Sequence, residues 1–275
     1  MARYGVLGDI HGNREALEAA LGALEARGVR QFLCVGDIIG YNADPDECAA
    51  HLRNRHTVAI AGNHDLIGTG RLDFARCSNN ARYSLQRTRR VLSRDTAAWL
   101  GRLPSNRLVE DNVLLVHGGV RDVEQYMATP AVIGQNAQYL RADFPAARLC
   151  FFGHSHEQKV YQVDAGEVSE LPLSSERIYL DKEKLAFVNP GSVDAQRKSR
   201  HKLAECAILD TVGWTVEFLR LPYDAASTEA KAAVFGYRIN RVTDRLYSLR
   251  RRVLKRFMSD SVPTSRVRSP TLDQG

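Results

Sequence analysis

The chain has 275 residues, 44% of them hydrophobic, and a formal net charge of +6. That composition supports a sizeable packed core and excludes a low-complexity chain. No apolar run approaches the roughly 20 residues that span a bilayer, and the opening Arg3-Tyr4-Gly5-Val6-Leu7 does not read as a signal peptide, so a cytoplasmic location is expected.

Arg3 to Leu7 reads as a short buried strand ending at Gly8-Asp9. From Glu15 to Arg27, Ala16, Leu17, Ala20, Leu21 and Leu24 fall at helical spacing, with Asn13 as cap and Gly28 just past the end. Gln31 to Val35 is the next strand and again ends at Gly-Asp. Asp44-Pro45 marks a cap followed by proline at the first helical position. Thr57 to Ala61 is a third strand, followed directly by Gly62-Asn63-His64-Asp65. Ser78 to Leu100 reads as one or two arginine-rich surface helices, with Ser93 as a cap. Val113 to Val116 is a strand ending at His117, and Thr129-Pro130 opens a helix to about Asp143. Leu149 to Phe152 is a strand ending at Gly153-His154, Val160 to Tyr179 reads as hairpin strands, and Leu185 to Val188 ends at Asn189-Pro190-Gly191-Ser192. Alternating strands and helices predict an α/β layered core, with ligands bound where the strands end.

After Pro222 the character changes. Phe235, Ile239, Val242, Leu246, Leu249 and Val253 recur at spacings of four and three, which predicts one long amphipathic helix from about Ser227 to Met258. The stretch Arg238 to Arg256 carries Arg241, Arg245, Arg250, Arg251, Arg252 and Lys255 with Asp244 the only acid among them, so most of the net charge resides there. The stripe suits packing on the body or on a second copy, as in a homo-oligomer. The arginines suit nucleic-acid phosphates or an acidic membrane surface. Ser259 to Gly275 is Ser/Thr/Pro-rich and expected to be disordered. The expected domains are therefore 1–222, 223–258 and 259–275.

Cys34, Cys48, Cys77, Cys150 and Cys206 are odd in number, widely spaced and without a C-x-x-C pair, which points to buried thiols rather than disulfides or a zinc ribbon. The histidines are more informative. Five of the eight sit in G-D-I-H-G-N (Gly8 to Asn13), G-N-H-D (Gly62 to Asp65), V-H-G-G (Val116 to Gly119) and G-H-S-H (Gly153 to His156). V-G-D (Val35 to Asp37) adds a carboxylate. Imidazole, carboxylate and carboxamide together suit divalent metals. The seven groups Asp9, His11, Asp37, Asn63, His117, His154 and His156 exceed what one tetrahedral ion takes, but suit two adjacent ions with Asp37 able to bridge them. Of the remaining histidines, His51 and His56 flank Arg53 to Arg55 and read as surface residues. His201 sits in the basic loop Arg197 to Lys202.

In that order, the motifs resemble those of the calcineurin-like metallophosphoesterases over roughly Met1 to Leu221. The resemblance implies a four-layer α/β/β/α sandwich, to which this chain adds the C-terminal amphipathic helix. It also implies that Asp9, His11 and His156 hold one metal, that Asn63, His117 and His154 hold the other, and that Asp37 bridges them. His64 would face the substrate, oriented by Asp65. Gly36-Asp37-Ile38-Ile39-Gly40-Tyr41-Asn42 and Asn189 to Val193 resemble the bacterial branch of small single-domain phosphoesterases. Protein Ser/Thr phosphatases and symmetrical dinucleoside tetraphosphate hydrolases carry G-D-x-x-x-R-G after the bridging aspartate. Its arginine, a bidentate phosphate clamp, is missing here, which argues against both activities. Arg197, in Asp194-Ala195-Gln196-Arg197-Lys198, is the candidate contact to an anionic substrate.

The expected reaction is hydrolysis of a phosphate mono- or diester by a hydroxide shared between two metals roughly 3.5–4 Å apart. His64 would protonate the leaving oxygen or hydrogen-bond a non-bridging one. Manganese or iron is expected from the resemblance, with zinc compatible with the same ligands. The substrate class is a phosphorylated small molecule or nucleotide. The alternatives are a nucleic-acid-processing phosphodiesterase and a non-catalytic scaffold of the same fold. The intact ligand set opposes the scaffold reading.

Overall fold

Runs suited to strands and runs suited to helices alternate along the chain. The computed structural model describes residues 3–173, 177–195 and 202–260, with side chains as far as residue 250. The order begins β1 (Arg3–Leu7), α1 (Arg14–Ala26), β2 (Gln31–Cys34), α2 (Pro45–Asn54), β3 (Val58–Ala59) and α3 (Asn63–Gly68). α4 (Asn79–Val91) and α5 (Arg94–Gly101) follow, capped by Ser78 and Ser93, whose hydroxyls accept from the amides of Ala81 and Thr96. Then come β4 (Asn106–Val109), β5 (Val113–Val116), α6 (Pro130–Asp143), β6 (Leu149–Phe151), β7 (Lys159–Asp164) and β8 (Glu167–Glu170). β9 (Arg177–Tyr179), β10 (Leu185–Asn189), β11 (Leu203–Asp210), β12 (Thr215–Pro222), α7 (Ala225–Val234) and α8 (Arg241–Asp260) complete the order.

The strands form two sheets, β3-β2-β1-β11-β12-β9 and β4-β5-β6-β10-β7-β8. Side chains alternate across each strand, so neighbouring residues serve different layers. Leu7 and Cys34 face the helix side with Leu17, Leu21 and Leu24 of α1. Val6 and Leu33 face the opposite way, into a core shared with Leu115, Leu149 and Phe151 of the second sheet. Leu114, Cys150 and Phe187 turn outward again, onto Ile133, Ala137 and Leu140 of α6. Three cores between four layers make the expected α/β/β/α sandwich. Each fully buried large side chain contributes about 1.5–3 kcal/mol. This frame can therefore hold strained loops at its edge.

Several sequence expectations change. β11 and β12 pair antiparallel beside β1, yet no strand is expected there. β11 is buried on both faces, so it lacks the apolar–polar alternation that marks a half-exposed strand. The Val160 to Tyr179 stretch is only partly a hairpin. β7 pairs with β8 in the second sheet, whereas β9 crosses to pair with β12 in the first. Asp44 precedes α2, but its side chain makes no capping bond and instead pairs with Lys231.

The single helix expected over Ser227 to Met258 is two helices. α7 ends where the amides of Phe235, Gly236 and Tyr237 fold back onto Lys231, Ala233 and Ala232. Gly236 is at φ 71°, a conformation that favours glycine and ends a helix. Tyr237 is then buried, and Arg238 donates to the Tyr41 carbonyl and the Asn42 side chain. These tertiary contacts override the continuous apolar stripe. One compact unit consequently runs to Arg238, past Pro222, and a second begins at Ile239. Among the described residues, no helix is long and apolar enough to cross a membrane. Arg197, His201 and the tail from 261 onward lie outside the described residues.

Candidate metal centre

β1, β2 and β3 are adjacent and parallel, as are β5, β6 and β10, so each set ends side by side. Every expected ligand leaves one of these ends. Asp9 and His11 follow β1, Asp37 follows β2, and Asn63 opens α3 after β3. His117 follows β5, and His154 and His156 follow β6. All seven are buried.

The backbone at these positions is unusual. Asp9, His11, Asp37, His154 and His156 have φ of 50°, 53°, 55°, 64° and 59°. Non-glycine residues rarely adopt this left-handed region, at a cost of order 1–3 kcal/mol each. Tertiary hydrogen bonds hold them there. Asp9 N donates to Gly36 O at 3.0 Å, His11 N to Asp37 O at 2.9 Å and Gly12 N to Ile38 O at 2.9 Å, which zips the first two loops together. His154 N donates to both Asp9 carboxylate oxygens at 3.1 and 3.0 Å, and His64 N to Asp37 Oδ1 at 2.8 Å. Strain of this kind is kept where geometry serves a ligand.

The side chains converge in groups whose donor atoms lie within 4.8 Å of one another. Asp9, His11 and His156 form one group and Asp37, His117 and His154 a second. His11, Asp37 and His64 form a third, between them. Asn63 Oδ1 lies 3.1 Å from His117 Nε2, beside the second group. His11 Nε2 and His156 Nε2 approach to 3.2 Å, a contact that needs a proton or a cation between the two lone pairs. His117 Nδ1 lies 2.8 Å from Val35 O and donates to it. Its Nε2 then faces Asp37 at 3.2 Å as an acceptor for a metal. The donor set is all nitrogen and oxygen, buried and convergent, which fits divalent cations well.

The electrostatics support that fit. Burial alone would raise the Asp37 carboxyl, but the imidazoles of His117, His64 and His11 outweigh it and hold it well below the usual range. Burial disfavours charge on His117, yet Asp37 and Asp9 push it up to about 9. A divalent cation held there would balance the same carboxylates and would have to displace a proton from His117.

Asp65, expected to orient His64, uses its carboxylate differently. Oδ1 accepts from Ile38 N at 2.9 Å and Ile39 N at 3.1 Å, and Oδ2 from Gly62 N at 2.9 Å. It moors the loop that carries Asp37. Burial and the Asp37 charge push this carboxyl up to about 7. The His64 ring packs against both His11 and Tyr41, with centroids 4.6 and 4.7 Å away. Gly40, at φ 113°, makes room for it: a Cβ there would lie 2.3 Å from His64 Nδ1.

The Asn189 to Val193 motif proves to be scaffolding. Asn189 Nδ2 donates to Gly153 O at 3.0 Å and Ser155 Oγ at 2.9 Å, fixing the loop that carries His154 and His156. Ser192 Oγ donates to Asp9 O at 3.0 Å. An amide at a strand end followed by Pro-Gly-Ser signals such a role, although not which loop it grips. A cleft of about 240 Å³ opens over Asn63, His64 and His154, with Tyr41, Arg76 and Tyr126 at its lip. No sequence motif marks Tyr126 or Arg76. Arg76 is held at the lip by Asp122 at 2.8 Å and Glu124 at 3.4 Å.

The model of the calcineurin-like phosphoesterase superfamily domain matches residues 2–213. An uncharacterized protein of Methanocaldococcus jannaschii is 32% identical over 228 residues, covering 80% of this chain and 87% of that one. The crystal structure of a metallophosphoesterase from Sphaerobacter thermophilus superposes with a TM-score of 0.70 at 28% identity, covering 88% of this chain and 96% of that one. A hypothetical protein from Pyrococcus horikoshii OT3 shares the fold, with a TM-score of 0.65 at 18% identity, 90% of this chain and 97% of that one. Strand-end ligands in the family's order, the layered sandwich and the sequence match lead to one conclusion: the chain belongs to the calcineurin-like phosphoesterase superfamily.

Proposed function

We propose that the chain is a metal-dependent hydrolase of phosphate mono- or diesters that works with two divalent ions. The observation that carries the reading is the pair of buried donor groups, Asp9/His11/His156 and Asp37/His117/His154, with Asn63 beside the second. Asp37 lies 3.7 Å from His11 and 3.2 Å from His117, so its carboxylate can serve both groups. Bound there, the ions would neutralise phosphate charge and acidify a water toward neutrality. Manganese or iron fits the donors, and zinc is the third candidate.

The chain's own residues supply the rest. His64, buried and lining the cleft floor, gives a proton to the leaving oxygen as water adds to phosphorus and the P–O bond breaks. Asp65 and Gly40 keep the Asp37 loop and the His64 ring in register. The five buried cysteines are free thiols, in keeping with a cytoplasmic location. The test is a panel of nucleotides, cyclic nucleotides, diesters and phosphopeptides assayed with added Mn²⁺ and then with chelator. Turnover that chelation abolishes and Mn²⁺ restores is expected. No metal-dependent turnover on any member would favour the scaffold reading.

A second reading rests on α8. It presents Arg241, Arg245 and Arg250 on one helix with Val242, Leu246 and Leu249 exposed at 69%, 59% and 58%. Such a helix suits nucleic-acid phosphates, and its apolar stripe suits a second copy of the chain. Salt-sensitive retention of single-stranded DNA by the full chain would favour a nucleic-acid substrate.

A further inference from the structure

Beside the catalytic cleft lies a second pocket, of about 400 Å³. Tyr41 and Ser78 line both. The cleft over the metal centre, at about 240 Å³, is below the roughly 300–1,000 Å³ that encloses a small organic ligand, whereas the second pocket is within it. We propose that this pocket seats the nucleoside half of a phosphodiester whose phosphate lies over the metal centre, an inference that rests on the phosphoesterase reading above.

Charge, chemistry and rigidity all bear on the occupant. Among the described residues, the lining carries Asp194 and Glu229 beside Lys202 and Arg238, with Glu229 paired to Arg238. With Arg238 held by Glu229, the described part of the lining suits a neutral group better than a second phosphate. The rings of Tyr41 and Tyr223 in the lining offer stacking surface, and Ser78 and Asn80 offer donors and acceptors for a base edge. A sugar alone would use the polar groups but not the rings.

The pocket is also preformed. α7, which lies beyond the strands of the sandwich, builds one wall through Ala225, Thr228 and Glu229. Thr228 Oγ1 donates to Asn13 Oδ1 at 3.0 Å, and Lys231 pairs with Glu15 at 2.6 Å, which fixes α7 on α1. Arg238 pairs with Glu229 at 2.7 Å and donates to Tyr41 O at 2.9 Å, which ties that wall to the loop between the two cavities. The segment after Pro222 thus has a task in the substrate site as well as in packing.

Two esters with the same leaving group test this. Thymidine 5′-(p-nitrophenyl phosphate) and methyl p-nitrophenyl phosphate both add water at phosphorus and release p-nitrophenol, and differ only in the half retained. In the Mn²⁺-loaded full chain, kcat/KM for the thymidine ester should exceed that for the methyl ester by about tenfold or more. Ala225→Trp, which fills the pocket from its wall, should bring the ratio to about one. Asn80→Ala, at an exposed position on α4, should lower it about fivefold, as loss of one hydrogen bond does. Thymidine alone, titrated calorimetrically into chelator-treated full chain, should bind the native protein and bind Ala225→Trp about tenfold more weakly. Equal losses on both esters, or thymidine binding that neither variant alters, overturn the proposal. Glucose binding more tightly than thymidine overturns it as well. Hydrolysis of neither ester, with thymidine binding lost only in Ala225→Trp, would overturn the phosphoesterase reading and leave the pocket assigned.

Discussion

The first sheet brings Asp9, His11, Asp37 and Asn63 to the metal centre, whereas the second brings His117, His154 and His156. Both carboxylates therefore come from one side and only imidazoles from the other. The first-sheet loops are also the ones zipped to each other by backbone bonds, from Asp9 N to Gly36 O and from His11 N to Asp37 O. The second-sheet ligands lean on that frame, His117 through Val35 O and His154 through the Asp9 carboxylate. The candidate centre is thus a product of sheet docking: one sheet sets the negative charge, and the other brings the imidazoles that face it.

Removing the shared carboxylate should break this division most severely. Asp37→Asn should lose both metals and all measurable turnover, read by metal analysis of the purified variant beside its activity. Retention of both metals would show that the two donor groups are independent. Next in size, His64→Ala should lower kcat roughly 10²–10⁴-fold with both metals still bound. Loss of metal there would make His64 a ligand, as its place in the third donor group would allow.

The second-sheet half can be loosened alone. Asn189→Ala frees the loop carrying His154 and His156 and should weaken metal affinity about 10–100-fold, the usual cost of a lost supporting contact. An unchanged affinity, measured by competition with a chelating dye, would mean that the Asp9 contact holds that loop by itself. The last effect concerns protons. His117 is pushed up to about 9 in the metal-free protein, so it is protonated below that pH and must lose a proton to bind metal. Affinity should therefore fall about tenfold per pH unit as pH drops from about 9 toward 7, and metal uptake near pH 7.5 should release protons. A flat affinity over that range would remove His117 from the ligand set.

Much of this was legible in the sequence, and for a local reason. Asp9, Asp37, His117 and His154 each stand within a few residues of a strand's end, so strand periodicity and donor chemistry were enough to nominate them. α6 was likewise legible, because Thr129 and Pro130 state its start. β11 was not, since a strand buried on both faces carries no alternation. The break between α7 and α8 was hidden because the apolar stripe continues through it.

By itself, the sequence determined the superfamily and nominated the candidate ligands, because donor type and strand-end position are local properties that a few residues carry. Only the tertiary structure decided that the Asp65 carboxylate moors the Asp37 loop, that Asn189 grips the histidine loop, and that five of the candidate ligands sit in left-handed backbone. It also decided that Gly236 and the buried Tyr237 end a helix whose stripe continues, which leaves α7 as the wall of a pocket beside the candidate metal centre. These features depend on contacts between residues far apart in the chain, and their energies arise only when the two sheets and α7 are packed together.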